Sequence, residues 1–225
     1  MSRDRAGAGG LPHGSLGWLH DLGRWLGTWI FAPFLRVRMR HAERIPGDGP
    51  VVVVANHTAL VDGPLLFGMF GRRVVFLVKA EMFTGPLKVL LPALGQLPVR
   101  REVVDRRPLT AAAGVLSDGG MVAVFPEGTR GTGELTGARQ GAVWLARSTG
   151  ASVLPVAVRG TRRPDGARRR FRPRVDVLVG EPLPAPTAPG RDGLAAATAD
   201  VTAALRMLVR ELDVENERPA GPAGT

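Results

Sequence analysis

In the stretch "VVVVANHTALVDGPLL" (51–66) a run of valines stops at Asn56, and His57 and Asp62 follow five positions apart. A carboxylate bonded to one imidazole nitrogen fixes the tautomer and supports the ring's charge when the other nitrogen takes a proton. That is the equipment of a general base. A continuous helix cannot pair the two residues, because five helical positions turn the chain by about 500° and set the side chains on different faces. Asp62 is a good N-cap, however, and Pro64 suits a first helical turn. A helix starting at Asp62 leaves 57–61 as a turn able to fold the imidazole back toward the carboxylate. Taken alone, the same residues also read as a cap and a polar turn between two core elements.

A second stretch, "MVAVFPEGTRGTGELTG" (121–137), places Pro126, Glu127, Gly128, Thr129 and Arg130 directly after another apolar run. Proline and glycine stop the strand and turn backbone N–H groups outward. Thr129 adds a hydroxyl, and Arg130 adds a planar, always-charged fork that suits phosphate. These residues fit an anion site or a polar β-turn. Neither GxxxxGK[ST] nor GxSxG occurs, so nucleotide hydrolysis and serine-hydrolase chemistry lack their usual parts. The chain has no cysteine, which excludes disulfides, zinc-cysteine sites, iron–sulfur clusters and thiol nucleophiles. Of the four histidines only His57 ends an apolar run, since His13, His20 and His41 lie in the N-terminal segment and the connection after it. No metal site is therefore expected.

The elements that must position these residues are short. Strands are expected at 50–55, 74–79, 121–125, 152–158 and 175–179, each a nearly continuous apolar run of the kind that is covered on both faces. Helices are expected between them at 64–70, 87–93, 106–117 and 137–148, the last two closed by glycine, with a final helix over 193–213. At 225 residues, alternating β and α elements predict one α/β domain with its chemistry at the strand ends.

Before that domain, "LGWLHDLGRWLGTWIFAPFLRVRMR" (16–40) carries Trp18, Trp25 and Trp29 with a closing cluster of Arg36, Arg38 and Arg40. It lacks the roughly 20 uninterrupted apolar residues of a spanning helix, and tryptophan flanked by arginine marks an interfacial helix. An amphipathic helix packed on its own domain is the other reading. The net charge of +10 and the eight arginines of "RGTRRPDGARRRFRPR" (159–174), against the single acid Asp165, favour anionic partners such as a membrane surface. Nucleic-acid binding predicts interleaved aromatics, and this run has only Phe171.

"NHTALVD" and "FPEGTR", about seventy residues apart and each following a strand, resemble two signature blocks of the lysophosphatidic acid acyltransferase (PlsC-like glycerolipid acyltransferase) family. "LGQLPVRR" (94–101) is similar to a further block and aligns its arginine with Arg101. "SVLPVAVRGT" (152–161) resembles the Val-Pro-Val block, and "VKAE" (78–81) fits the lysine and glutamate often found between the first two. The resemblance covers about 36–180. Arg100 stands where an acidic residue is common, and Gly131 replaces a frequent serine.

The resemblance implies a mixed, mostly parallel sheet flanked by helices in one acyltransferase domain (36–213). A flexible N-terminus with an interfacial helix (1–35) is expected to precede it, and a disordered tail (214–225) to follow. It implies acyl transfer from acyl-CoA or acyl carrier protein to a lysophospholipid hydroxyl, with no resident cofactor, at the cytoplasmic face of the cell membrane. His57 would be the base and Asp62 its support. Arg130, Arg101 and Lys79 would hold the acceptor phosphate, while Glu127, Gly128 and Thr129 shape its loop. A different lyso-lipid or alcohol acceptor is the nearest alternative, and a non-enzymatic membrane binder the more distant one.

Overall fold

The computed structural model describes residues 10–31, 33–100, 106–126, 135–162 and 172–217. Its centre is a seven-stranded sheet of β1 (Arg36–Arg40), β2 (Val51–Ala55), β3 (Val74–Lys79), β4 (Leu97–Val99), β5 (Met121–Val124), β6 (Ser152–Arg159) and β7 (Arg174–Val179). The spatial order is β1-β7-β6-β2-β5-β3-β4. Every neighbouring pair is parallel except β6 and β7, so β7 and β1 form a reversed margin on an otherwise parallel sheet. The helices are α1 (Gly17–Phe31), α2 (Asp62–Met69), α3 (Leu87–Ala93), α4 (Arg107–Ser117), α5 (Leu135–Thr149) and α6 (Gly190–Glu217).

The valine runs follow from this layering. Successive strand residues point to opposite faces, and here both faces are covered. Val52, Val54, Val75, Val122, Val124 and Val153 pack beneath α4, α5 and α6. Val51, Val53, Ala55, Val74, Met121 and Leu154 pack beneath Leu65, Leu66 and Phe70 of the α2 region. All five residues of β2 are buried, so alternation would leave half of them facing the wrong medium.

Three expectations are corrected. The arginines at 36, 38 and 40 do not close an interfacial segment; they lie on β1, where Arg40 bonds Glu215 of α6 at 2.6 Å. β4 was not expected as a strand. The final helix runs four residues into the expected tail, because Leu212 is buried against Ala157 and Leu178 and carries its last turns along the sheet. Residues 1–9 and 218–225 and most of the arginine-rich run (163–171) lie outside the described residues.

The N-terminal helix is packed on its own domain along one side and exposed along the other. One side of α1 is seated on the domain: His20 is fully buried with Nδ1 2.7 Å from the Leu94 carbonyl, and Arg24 donates to the Phe70 carbonyl at 2.7 Å. The backbones of α1 and α2 meet where Gly27 faces Gly68, and a Cβ at Gly68 would lie 2.9 Å from the Gly27 carbonyl carbon. The other side leaves Trp18, Trp25, Trp29 and Ile30 exposed.

Candidate active site

The parallel strands β2, β3, β4, β5 and β6 end on one edge of the sheet. The residues at or just after their ends, namely His57, Lys79, Arg100, Phe125 and Thr161, are thereby brought to one side of the molecule. This is the edge where open α/β sheets bind ligands.

Asn56 ends β2 in an unusual way. Its fully buried side chain donates from Nδ2 to the Val158 carbonyl at 2.9 Å, and its Oδ1 accepts the Val158 N–H at 2.7 Å. A side-chain amide thus continues the β2–β6 ladder after the backbone has turned away. That release lets His57 leave the strand direction while its base stays fastened.

His57 then meets Asp62. Nδ1–H of the ring donates to Asp62 Oδ2 at 3.1 Å. The turn is closed on the same oxygen, which also accepts the Thr58 N–H at 2.6 Å, the Ala59 N–H at 2.8 Å and the Thr58 hydroxyl at 3.3 Å. One expectation changes here. Asp62 does not cap α2; Val61 holds the cap position without a side-chain bond, and Asp62 is the first helical residue with its carboxylate turned back over 57–59. The 57–61 turn and the pairing are as expected.

Asp62 is 0 % exposed. Burial opposes its charge, but the hydrogen bonds from His57, Ala59 and Thr58 outweigh burial and hold the carboxyl below its ordinary 3.8. An ionised, immobile carboxylate on Nδ1 places the ring's lone pair on Nε2. The His57 side chain is 28 % exposed and stacks on Phe125, with ring centroids 4.5 Å apart and planes 25° from parallel. Phe125 in turn stacks on Phe76 of β3 at 5.6 Å. The imidazole is therefore fixed by a carboxylate at one nitrogen and an aromatic wall on one face, with an open side remaining.

Lys79 stands at the end of β3, its Nζ 3.5 Å from Glu81 Oε1, with both side chains substantially exposed. Arg101, Glu127, Gly128, Thr129 and Arg130 lie outside the described residues. Asn56, Phe125 and Thr161 are site residues that motif reading does not single out. The signal for Asn56 was a lone amide closing a run of valines, and Phe125 opens the FPEGTR block. Thr161 closes the Val-Pro-Val segment and meets Thr58 Oγ1 at 2.7 Å. Among the described residues no group of three His, Asp or Glu side chains is placed to hold a metal.

The chain matches the family model described as Acyltransferase over residues 36–159. It is 34% identical over 163 residues to a 1-acyl-sn-glycerol-3-phosphate acyltransferase of Chlamydomonas reinhardtii, covering 68% of this chain and 48% of that protein. It is 27% identical over 183 residues to a 1-acyl-sn-glycerol-3-phosphate acyltransferase of Bacillus subtilis, covering 79% of this chain and 90% of that one. The chain thus spans about half the length of the algal relative and most of the bacterial one. The crystal structure of the 1-acyl-sn-glycerophosphate acyltransferase PlsC from Thermotoga maritima is similar at a TM-score of 0.63 and 29% identity, over 90% of this chain and 80% of that one.

Proposed function

The chain belongs to the acyltransferase family, and from that premise we propose that it moves a fatty acyl group from a thioester to the free hydroxyl of 1-acylglycerol-3-phosphate, giving phosphatidic acid for phospholipid biosynthesis. The observation that carries the reading is the 3.1 Å bond between His57 Nδ1 and the buried carboxylate of Asp62, which leaves Nε2 as a base at the open edge of the sheet. The names of the algal, Bacillus and Thermotoga relatives support the acceptor.

The steps follow from what each group can do. Nε2 of His57 removes the proton of the acceptor hydroxyl as its oxygen attacks the thioester carbonyl carbon. The new C–O bond replaces the C–S bond, and the departing sulfur takes the proton from the imidazolium, so an ester and a free thiol leave and the histidine is restored. Asp62 offsets the ring's transient positive charge. A positioned base of this kind contributes about 10²–10⁴ in rate. The acyl group passes directly between substrates, since the chain has no cysteine and no serine in a nucleophile context to carry it. Arg130, Arg101 and Lys79 hold the acceptor phosphate, and Glu127, Gly128 and Thr129 belong to the same substrate-binding set. Acyl-CoA or acyl carrier protein supplies the thioester.

The reaction takes place at an anionic membrane surface, with the protein peripheral or monotopic on the cytoplasmic face. Trp18, Trp25 and Trp29 on the exposed side of α1 are suited to the headgroup boundary. No helix among the described residues is long and apolar enough to cross a membrane.

Incubating the purified protein in detergent with palmitoyl-CoA or acyl carrier protein thioester and lysophosphatidic acid tests the reading. Free thiol and phosphatidic acid formed in equal amounts is the expected result. Thiol release that depends on a different lyso-lipid or alcohol would overturn the acceptor, and no transfer from either donor would overturn the activity.

A further inference from the structure

The turn that carries His57 is built almost entirely from its own neighbours: Thr58, Ala59 and Asp62 bond one another. Among the described residues, three side-chain hydrogen bonds tie it to a distant part of the chain, and all go to β6 and the residues after it. Asn56 bonds Val158, and Thr58 Oγ1 bonds Thr161 Oγ1 at 2.7 Å across 103 residues of sequence. Thr161 reaches this position because Gly160 takes the left-handed conformation (φ 89°), where a Cβ would overlap the carbonyl of Arg174. The chain leaving β6 is thereby bent over the catalytic turn.

The proton count orients these hydroxyls. A threonine hydroxyl has one proton. If Thr58 donates its proton to Asp62 Oδ2, as the 3.3 Å contact indicates, then Thr161 donates at the 2.7 Å contact, and both O–H dipoles point toward the carboxylate.

We propose that Thr161 is a positioning residue for the acyl transfer, its hydroxyl holding Asp62 and the 57–61 turn in the arrangement that keeps His57 Nδ1 protonated and Nε2 free. This rests on the reading of His57 as the base. The contact between the two hydroxyls is partly buried and the carboxylate behind Thr58 has 0 % exposure, so loss of the Thr161 hydroxyl is felt at Asp62 through Thr58. With one O–H dipole fewer, the carboxylate becomes more basic, grips the imidazolium more strongly, and keeps the base protonated to higher pH.

The experiment compares full-length wild type, Thr161→Val, Thr161→Ser and His57→Ala in acylation of lysophosphatidic acid by palmitoyl-CoA across pH. Valine keeps the shape and removes the hydroxyl, and serine keeps the hydroxyl. Thr161→Val is expected to lower kcat about 5- to 30-fold, leave both KM values within about twofold, and move the acid limb of the kcat–pH profile upward. Thr161→Ser should return both quantities to within about twofold of wild type. A valine variant with wild-type kcat and an unmoved acid limb, beside an inactive His57→Ala, overturns the role of Thr161 alone. Valine and serine impaired equally, with the acid limb unmoved, also overturns it, because that pattern belongs to lost packing. An active His57→Ala, or no transfer by wild type, overturns the reading of the reaction and this role with it. Should the valine variant not fold, by near-ultraviolet circular dichroism, Thr161→Ala carries the same comparison.

Discussion

Asn56 is fully buried and supplies both a donor and an acceptor that Val158 needs. Replacing it with alanine strands a backbone N–H and a carbonyl inside the sheet, each costing about 1–3 kcal/mol. Asn56→Ala is expected to lose roughly 2–4 kcal/mol by urea titration, and to lose activity as well, because the base of the His57 turn is no longer fastened. Asp62 invites a second substitution. Its carboxyl is held below the ordinary value because the hydrogen bonds from its own turn prevail over burial. It therefore contributes stability that is fully present above the ordinary carboxylate range and is lost as pH falls through its lowered value. Asp62→Asn should cut transfer by about 10²-fold or more, since no charge remains to balance the imidazolium, and should flatten the fall of unfolding free energy in acid. The His57–Asp62 pair was legible in the sequence because all its parts lie within six residues. Asn56 and Thr161 were not, because their partners lie across a β2–β6 pairing that only the strand order creates.

At the level of elements, the docking of α1 buries a titratable group. His20 lies among α1, Phe67 of α2 and Leu94 beyond α3, its ring centroid 4.7 Å from that of Phe67. Burial lowers its pKa from 6.5 to about 4, although the bond to the Leu94 carbonyl works the other way. The unfolded chain thus takes up the proton first, so stability is full above pH 6.5 and is lost as pH falls from there through about 4. By pH 4 the cost is about 3 kcal/mol. His20→Gln should show a shallower acid loss of thermal midpoint over that range, and an unchanged slope would remove His20 from this role. The strands were readable where both faces are covered, because burial on two sides demands an unbroken apolar run. β1 escaped because a margin strand alternates, and its arginines at 36, 38 and 40 look like a surface charge cluster until β7 is laid beside them. The last helix outran its apolar pattern because Leu212 still has a buried place against β6 and β7.

Taken as one body, the molecule sets a tryptophan-bearing face on the same helix that fills the groove at α2 and α3. Binding to a membrane should then leave the sheet and its catalytic edge intact. Trp25→Ser with Trp29→Ser removes two exposed rings. It is expected to weaken sedimentation with vesicles containing anionic lipid about tenfold or more, while the thermal midpoint stays within about 2 °C, since these rings contribute little to the core. Equal binding by the double variant would place the contact elsewhere. The interfacial and the packed readings of this segment looked like alternatives in the sequence. The packed reading holds for one side of the helix, where the small residues Gly27 and Gly68 let it come close enough to dock, and the exposed side is the one the proposed membrane contact would use.

The central claim is that His57, held by Asp62, is the base that activates the acceptor hydroxyl. The rate of phosphatidic acid formation by His57→Ala beside wild type, at saturating palmitoyl-CoA and lysophosphatidic acid and with equal folding shown by circular dichroism, tests it most directly. A fall of about 10²–10⁴ in kcat is the expected result. Product formed by the variant at close to the wild-type rate would contradict it.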